Sequence, residues 1–115
     1  MYCLHSSVGF YDHFNMYKHS EVEEIPSRII SSTHRQDRAN QLPVAENVSG
    51  ILNILGDAKD AQYPIFRRPT ETDSGDTVAT AVIELGAKTL TVYLDNPKTA
   101  SPVLKLPLDL VLEYL

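Results

Sequence analysis

Thr77-Val78-Ala79-Thr80-Ala81-Val82-Ile83-Glu84-Leu85, resumed after Gly86-Ala87-Lys88 by Thr89-Leu90-Thr91-Val92-Tyr93-Leu94, is the stretch on which the fold turns. Both runs are rich in β-branched and aliphatic residues, which suit a pleated backbone. Side chains alternate along a strand, so the first run divides into Ala79, Ala81, Ile83 and Leu85 on one face and Val78, Thr80, Val82 and Glu84 on the other. Both sets are largely apolar, which predicts a strand covered on its two sides. The residues between the runs suit a hairpin loop, and Leu90, Val92 and Leu94 share a face of the second strand.

Downstream, Asp95-Asn96-Pro97 breaks the pairing, and residues 103–108 supply a third strand with Leu104, Leu106 and Leu108 facing one way. Pro107 has no N–H to give to a ladder and points to an edge position. Residues 109–115 have the composition of a short helix.

Upstream, Asn47 is a plausible cap for a helix in which Val48, Ile51, Leu52 and Leu55 fall at i, i+3, i+4 and i+7, the stripe of a core-facing amphipathic helix. Gly56 is placed to end it. A helix before it is predicted over residues 33–42, with Ser31 or Ser32 as cap and Pro43 as stop. Arg35 and Arg38 share one of its faces. Residues 11–26 are aromatic, His-rich and acidic without a period and read as a long irregular connection. Residues 2–10 are mixed enough to form a strand. The whole is one α+β domain over residues 1–115: two helices followed by an antiparallel β-meander. A sheet covered on both faces needs more helices than this, so the domain reads as partial.

Composition narrows the function. The chain of 115 residues has 43% hydrophobic and 22% charged residues, the profile of an ordinary folded domain. A net charge of −5 argues against a nucleic-acid footprint, since the basic groupings at residues 28–38 and Arg67-Arg68 are diluted by acids. No apolar run approaches the roughly 20 residues of a membrane span. One cysteine, Cys3, allows no internal disulfide, and a reducing, cytoplasmic compartment is the default. Glu113-Tyr114-Leu115 is not the peroxisomal Ser-Lys-Leu signal, though peroxisomal delivery stays open. Asn47-Val48-Ser49 matches a glycosylation acceptor, but no signal segment supports its use.

Residue chemistry alone marks no active site. His5, His13 and His19 with Asp12 and Glu21 match no metal-ligand spacing, and no metal or cofactor is expected. Cys3, flanked by Tyr2 and Leu4, reads as a small buried thiol before a nucleophile. Ser74-Gly75 lacks the Gly-x-Ser-x-Gly setting of a hydrolase elbow and reads as a turn.

The order of several short words carries more. Tyr11-Asp12-His13-Phe14 is followed by Ser31-Ser32-Thr33-His34-Arg35-Gln36-Asp37-Arg38, then by Ile54-Leu55-Gly56-Asp57, Tyr63-Pro64, Arg68, Thr77-Val78-Ala79 and Leu94-Asp95-Asn96-Pro97. This series resembles the C-terminal part, about the last third, of the penicillin (isopenicillin-N) acyltransferase family, which includes carcinine and β-alanyl-amine hydrolases. The resemblance implies a partial αββα sandwich of an N-terminal-nucleophile hydrolase. In such enzymes a Gly-Cys bond is cleaved autocatalytically, and the freed Cys attacks an amide or thioester with its own α-amino group as base. No Gly-Cys pair occurs in this sequence.

The same resemblance assigns residues. The family's Asn-His pair, whose Asn helps to hold the oxyanion, falls on Asp12-His13, or, with a shifted alignment, near Ser6-Ser7. A family Ser-Arg pair before the strand that begins at Thr77 falls on Asp73-Ser74-Gly75-Asp76, keeping Ser74 as the substrate-binding candidate without an Arg. Arg35 and Arg38 fall on a Ser-x-x-Arg-x-x-Arg helix and Arg67 or Arg68 on a further arginine, all expected to be structural. The expectation is therefore the C-terminal fragment of an amide hydrolase or acyltransferase, inactive alone and completed by an N-terminal segment. The alternative is a non-catalytic module that pairs with another chain across its uncovered sheet face.

Overall fold

The computed structural model describes residues 9–109, in the order α1 (Pro26–Asn40), α2 (Val48–Leu55), β1 (Thr80–Glu84), β2 (Thr89–Tyr93) and β3 (Leu104–Pro107). The predicted first strand and the helical tail fall largely outside the described residues. Residues 11–25 are irregular throughout, as their lack of periodicity implied, and Gly9 and Phe10, expected at the end of a strand, are irregular as well.

Helix α1 starts about two turns earlier than its serines suggested. Pro26 holds φ near the helical value and needs no partner for an N–H, so it starts the helix, with Ile25 extended before it and no side-chain cap. Ser32 lies inside the helix, where its Oγ accepts from Arg35 Nη2 at 3.0 Å. In α2 the expected cap is present: Asn47 Oδ1 accepts from the Gly50 N–H at 2.9 Å. The expected stripe needs correction. The buried residue of α2 is Ile54, 5% exposed, whereas Ile51 is exposed. Val48, Ile51, Leu52, Ile54 and Leu55 make this short helix apolar on almost every side, so periodicity does not single out the buried face. Ile54 packs with Phe14, Ala39 and Ile65, and Leu42 and Ala45 close over them.

The sheet has strand order β1-β2-β3, antiparallel throughout. Thr80 lies opposite Tyr93 and Val82 opposite Thr91, and all four side chains are buried on the inner face. The outer face carries Ala81 and Ile83 opposite Val92 and Leu90, which in turn lie opposite Leu104 and Leu106. It is bare among the described residues: Ile83 is 61% exposed, and Leu85 beyond the strand end 79%. The expectation of a strand covered on both sides is thus met on one side only. Pro107 sits on edge strand β3, where a missing N–H costs no ladder bond. In the hairpin the left-handed residue is Lys88 (φ 49°), and Gly86 is not required for the turn.

The pieces are tied together at the end of α2. Asp57, 4% exposed, accepts from Arg38 Nε and Nη2 at 2.8 Å each and from the Lys59 N–H at 3.3 Å. Its carbonyl accepts from the Phe66 N–H at 2.9 Å, and the Gly56 carbonyl accepts from Asn96 Nδ2 at 2.9 Å. Gly56 has an ordinary φ of −93°, so it is not a left-handed cap. Its missing side chain leaves room for Asn96 Oδ1 and for the Lys98 backbone nitrogen, which would lie 2.9 Å from a Cβ there.

A second tie joins the loop to the segment just before β1. Arg67 forms a two-pronged pair with Asp73, its Nε 3.0 Å from Oδ2 and its Nη2 on Oδ1, and the guanidinium fills the space that a Cβ on Gly75 would take. The Arg67 N–H donates to Thr77 Oγ1 at 2.9 Å, and the Thr77 N–H donates to the Arg67 carbonyl at 3.0 Å.

Packing and charge generate two expectations. Ile54→Ala should lower stability to urea unfolding by about 2–5 kcal/mol, because it opens a cavity in the cluster, while Ile83→Ala should change it by less than about 0.5 kcal/mol; equal losses would contradict the one-sided sheet. The hydrogen bonds from Arg38 hold the Asp57 carboxyl below the usual carboxylate range against the opposing effect of burial, and those from Arg67 do the same for Asp73. A depressed carboxylate stabilises the fold above its unfolded value of about 4 and loses that contribution as pH falls. The urea midpoint should therefore drop on acidification below about pH 4, and less steeply in Asp57→Asn and Asp73→Asn, as a pH series of unfolding curves would register.

Candidate functional site

Residues 9–25 lie beside the two helices. Gly9 (φ 79°) and Asn15 (φ 57°) adopt left-handed backbone, which turns this segment sharply at both ends of the Phe10–Phe14 stretch. Phe14 is buried against the core, and the Arg35 guanidinium lies 5.8 Å from its ring centroid. Beside it opens a groove of about 350 Å³, walled by Phe10, Phe14, Ile51, Ile54 and Leu55, with Asp12 among its few polar groups. An apolar cleft with one fixed charge is the usual form of a small-molecule site.

Asp12 is held in place. Its Oδ1 accepts from Lys18 Nζ at 2.7 Å and from Gln36 Nε2 at 2.9 Å, and Lys18 also donates to the Asp12 carbonyl at 2.8 Å. Burial raises the Asp12 carboxyl, but the Lys18 and Gln36 hydrogen bonds and the Lys18 charge outweigh it and set it below the usual range. An ionised carboxylate accepts hydrogen bonds and donates none, so Asp12 cannot serve as an oxyanion donor. His13 Nε2 lies 2.7 Å from the Met16 carbonyl, and His19 meets the Tyr11 hydroxyl at 3.1 Å. No three His, Cys, Asp or Glu side chains converge on a metal-sized space among the described residues. Cys3, His5 and the alternative Ser6-Ser7 position lie outside the described residues.

The remaining sequence-derived residues are spread over the molecule. Ser74 is exposed in the loop before β1, next to Asp73, and no hydrogen bond of its side chain is formed among the described residues. Arg35 is buried and donates to the Ser31 carbonyl at 3.1 Å and to Ser32 Oγ. Burial and the nearby Arg67 lower its basicity, with Asp73 opposing. Arg38, three residues on, points to Asp57 instead. Arg68 is exposed, bridges Asp76 and Asp95 at 3.0 Å each, and covers the Phe66 ring at 4.7 Å. Sequence reasoning missed Asp57 and Asn96, whose partners lie 19 and 40 residues away, and Asp73, which pairs with Arg67 six residues before it. The juxtapositions Gly56-Asp57 and Asp95-Asn96-Pro97 stood among the quoted words, but nothing local tells which arginine or carbonyl each would meet.

Comparison with known proteins agrees with the order of those words. The model of the family described as acyl-coenzyme A:6-aminopenicillanic acid acyl-transferase matches residues 4–99. The beta-alanyl-dopamine/carcinine hydrolase of Drosophila melanogaster is 29% identical over 90 residues, covering 64% of this chain and 23% of that protein. The chain thus spans about a quarter of the length of this curated relative. No solved structure matches. With the family model running through most of the described helices, loops and first two strands, the chain belongs to the acyl-coenzyme A:6-aminopenicillanic acid acyl-transferase family.

Proposed function

We propose that this chain is the nucleophile-free C-terminal part of an N-terminal-nucleophile amide hydrolase or acyltransferase that acts on an N-acyl amide or an acyl thioester. The observation that carries the reading is the family match over residues 4–99 in a sequence with no Gly-Cys pair. The named relative is a hydrolase of beta-alanyl-dopamine, an acyl amide, which supports the amide as the bond attacked. In the reaction a cysteine thiol, its proton taken by the α-amino group of the same residue, adds to the acyl carbonyl, and the proton passes to the departing amine; water then releases the acyl group. Neither group of that nucleophile is supplied by the residues described here.

What this part contributes is shape. The groove walled by Phe10, Phe14, Ile51 and Leu55 suits the apolar portion of the substrate, with Asp12 as an acceptor beside it. Asp12 stands at the family's oxyanion position as an ionised group, so the donor to the oxyanion comes from elsewhere in the complete enzyme. Ser74, exposed before β1, is the substrate-contacting hydroxyl on the resemblance alone. Arg38 and Arg68 hold loops in place, and Arg35 holds the 9–25 segment to α1. No cofactor enters the reaction. No described helix is long and apolar enough to cross a membrane.

A second reading rests on the bare outer sheet face. Ile83, Leu85, Leu94 and Leu104 are all exposed, a contiguous apolar surface of the kind that mates with another layer. In the first reading that layer is the remainder of the family sandwich, an apolar sheet supplied by the N-terminal part of the enzyme. In the second it belongs to a different chain, and this one is a non-catalytic interaction module. The two readings separate in one experiment. The purified chain should hydrolyse neither an N-acyl amide nor an acyl thioester above background, and an added N-terminal segment from a complete relative should restore self-cleavage and hydrolysis. Hydrolysis by the chain alone, abolished in Cys3→Ala, would overturn the first reading; stable association without activity would select the second.

A further inference from the structure

On a different face of α1 from the Asp12 groove lies a polar cleft of about 350 Å³, lined by His34, Asp37, Arg38, Gln41, Lys59 and Asp60. Most of its charges are already answered. Arg38 is neutralised by the two-pronged pair with Asp57. His34 Nδ1 lies 2.9 Å from Asp60 Oδ2, and the other Asp60 oxygen accepts from the N–H groups of Gln62 and Tyr63 at 2.9 Å each. The Tyr63 ring stands edge-on to the imidazole with centroids 5.1 Å apart. These contacts fix the floor and leave His34 Nε2 available.

Two charges in the cleft are not answered. Asp37 projects from α1 and Lys59 from the loop after α2, and neither side chain forms an ion pair or hydrogen bond among the described residues. They are opposite in sign and come from two different elements that line one cleft. Gln41 adds a neutral amide whose Oε1 takes Arg38 Nη1 at 3.4 Å and whose Nε2 is free to donate. A ligand with a single charge would answer one of the two groups and leave the other as it was. A small molecule with both an ammonium and a carboxylate answers both.

We propose that this cleft binds a small zwitterion, a free aliphatic amino acid, with its ammonium toward Asp37 and its carboxylate toward Lys59. His34 and Gln41 supply the polar edge between them. The inference uses only charge placement and does not depend on the acyl-amide reading. Its test is a titration of the isotope-labelled 115-residue chain, followed by amide NMR shifts, with glycine and β-alanine as zwitterions, acetate as an anion and methylammonium as a cation. The expected result is saturable shifts at Asp37, Gln41, Lys59 and Asp60 with at least one of the two amino acids, and affinity about tenfold weaker for either singly charged probe. Asp37→Ala and Lys59→Ala, at exposed positions, should each weaken amino-acid binding about tenfold with the rest of the spectrum unchanged. Absence of saturable shifts with both amino acids, acetate binding as tightly as they do, or unaltered binding in both variants would overturn the proposal.

Discussion

The Gly56-Asp57 junction is the constraint on which the rest of the structure depends. Within two residues it receives the Arg38 guanidinium from α1, the Phe66 N–H from the loop and the Asn96 amide from the turn after β2. Among the described residues no broad helix-on-sheet packing holds these elements together, and the buried apolar cluster joins α1, α2 and the loops. Directional hydrogen bonds to a buried carboxylate and to a carbonyl of a glycine therefore set the relation of sheet to helices. Such bonds are intolerant of geometry: a guanidinium fork must meet a carboxylate edge-on, and a side chain at residue 56 would stand where Asn96 must pass.

This arrangement orders both clefts. Arg38 reaches Asp57 from one face of α1, leaving His34, Asp37 and Gln41 to line the polar cleft beside the loop. Ile54, one turn back from the junction, faces Phe14 and so forms the base of the apolar groove next to Asp12. The sheet, by contrast, is left half finished. Its inner face is buried, and its outer face offers Ile83, Leu85, Leu94 and Leu104 to solvent.

Much of this was legible residue by residue. The strands are long enough in β-branched residues for a period of two to stand out, and the register put Pro107 on an edge as its missing N–H requires. Asn47 capped α2 because its side chain competes for the first free N–H groups, a local effect that a local reading catches. The start of α1 escaped because Pro26 initiates without a cap, and Ile54 escaped because a helix apolar all round has no preferred side. The candidate site was harder. Asp12, Arg35, Arg38, Arg68 and Ser74 came from a resemblance, and the partners of Asp12, Arg38 and Arg68, namely Gln36, Asp57 and Asp95, are set by tertiary contacts that no spacing encodes. The sharpest lesson is Arg35 and Arg38: equivalent in sequence, they point to a buried ring and to a buried carboxylate respectively.

The central claim is that the Gly56-Asp57 junction couples the helices to the loop as one unit, and native-state amide hydrogen exchange on the chain and on Asp57→Asn tests it most directly. Removing the carboxylate charge should weaken protection in α1, in α2 and at Phe66 together and by a similar factor, because all three open when the Arg38 pair is lost. Loss of protection at Phe66 alone, with α1 and α2 exchanging as before, would contradict the claim and leave the junction a local turn.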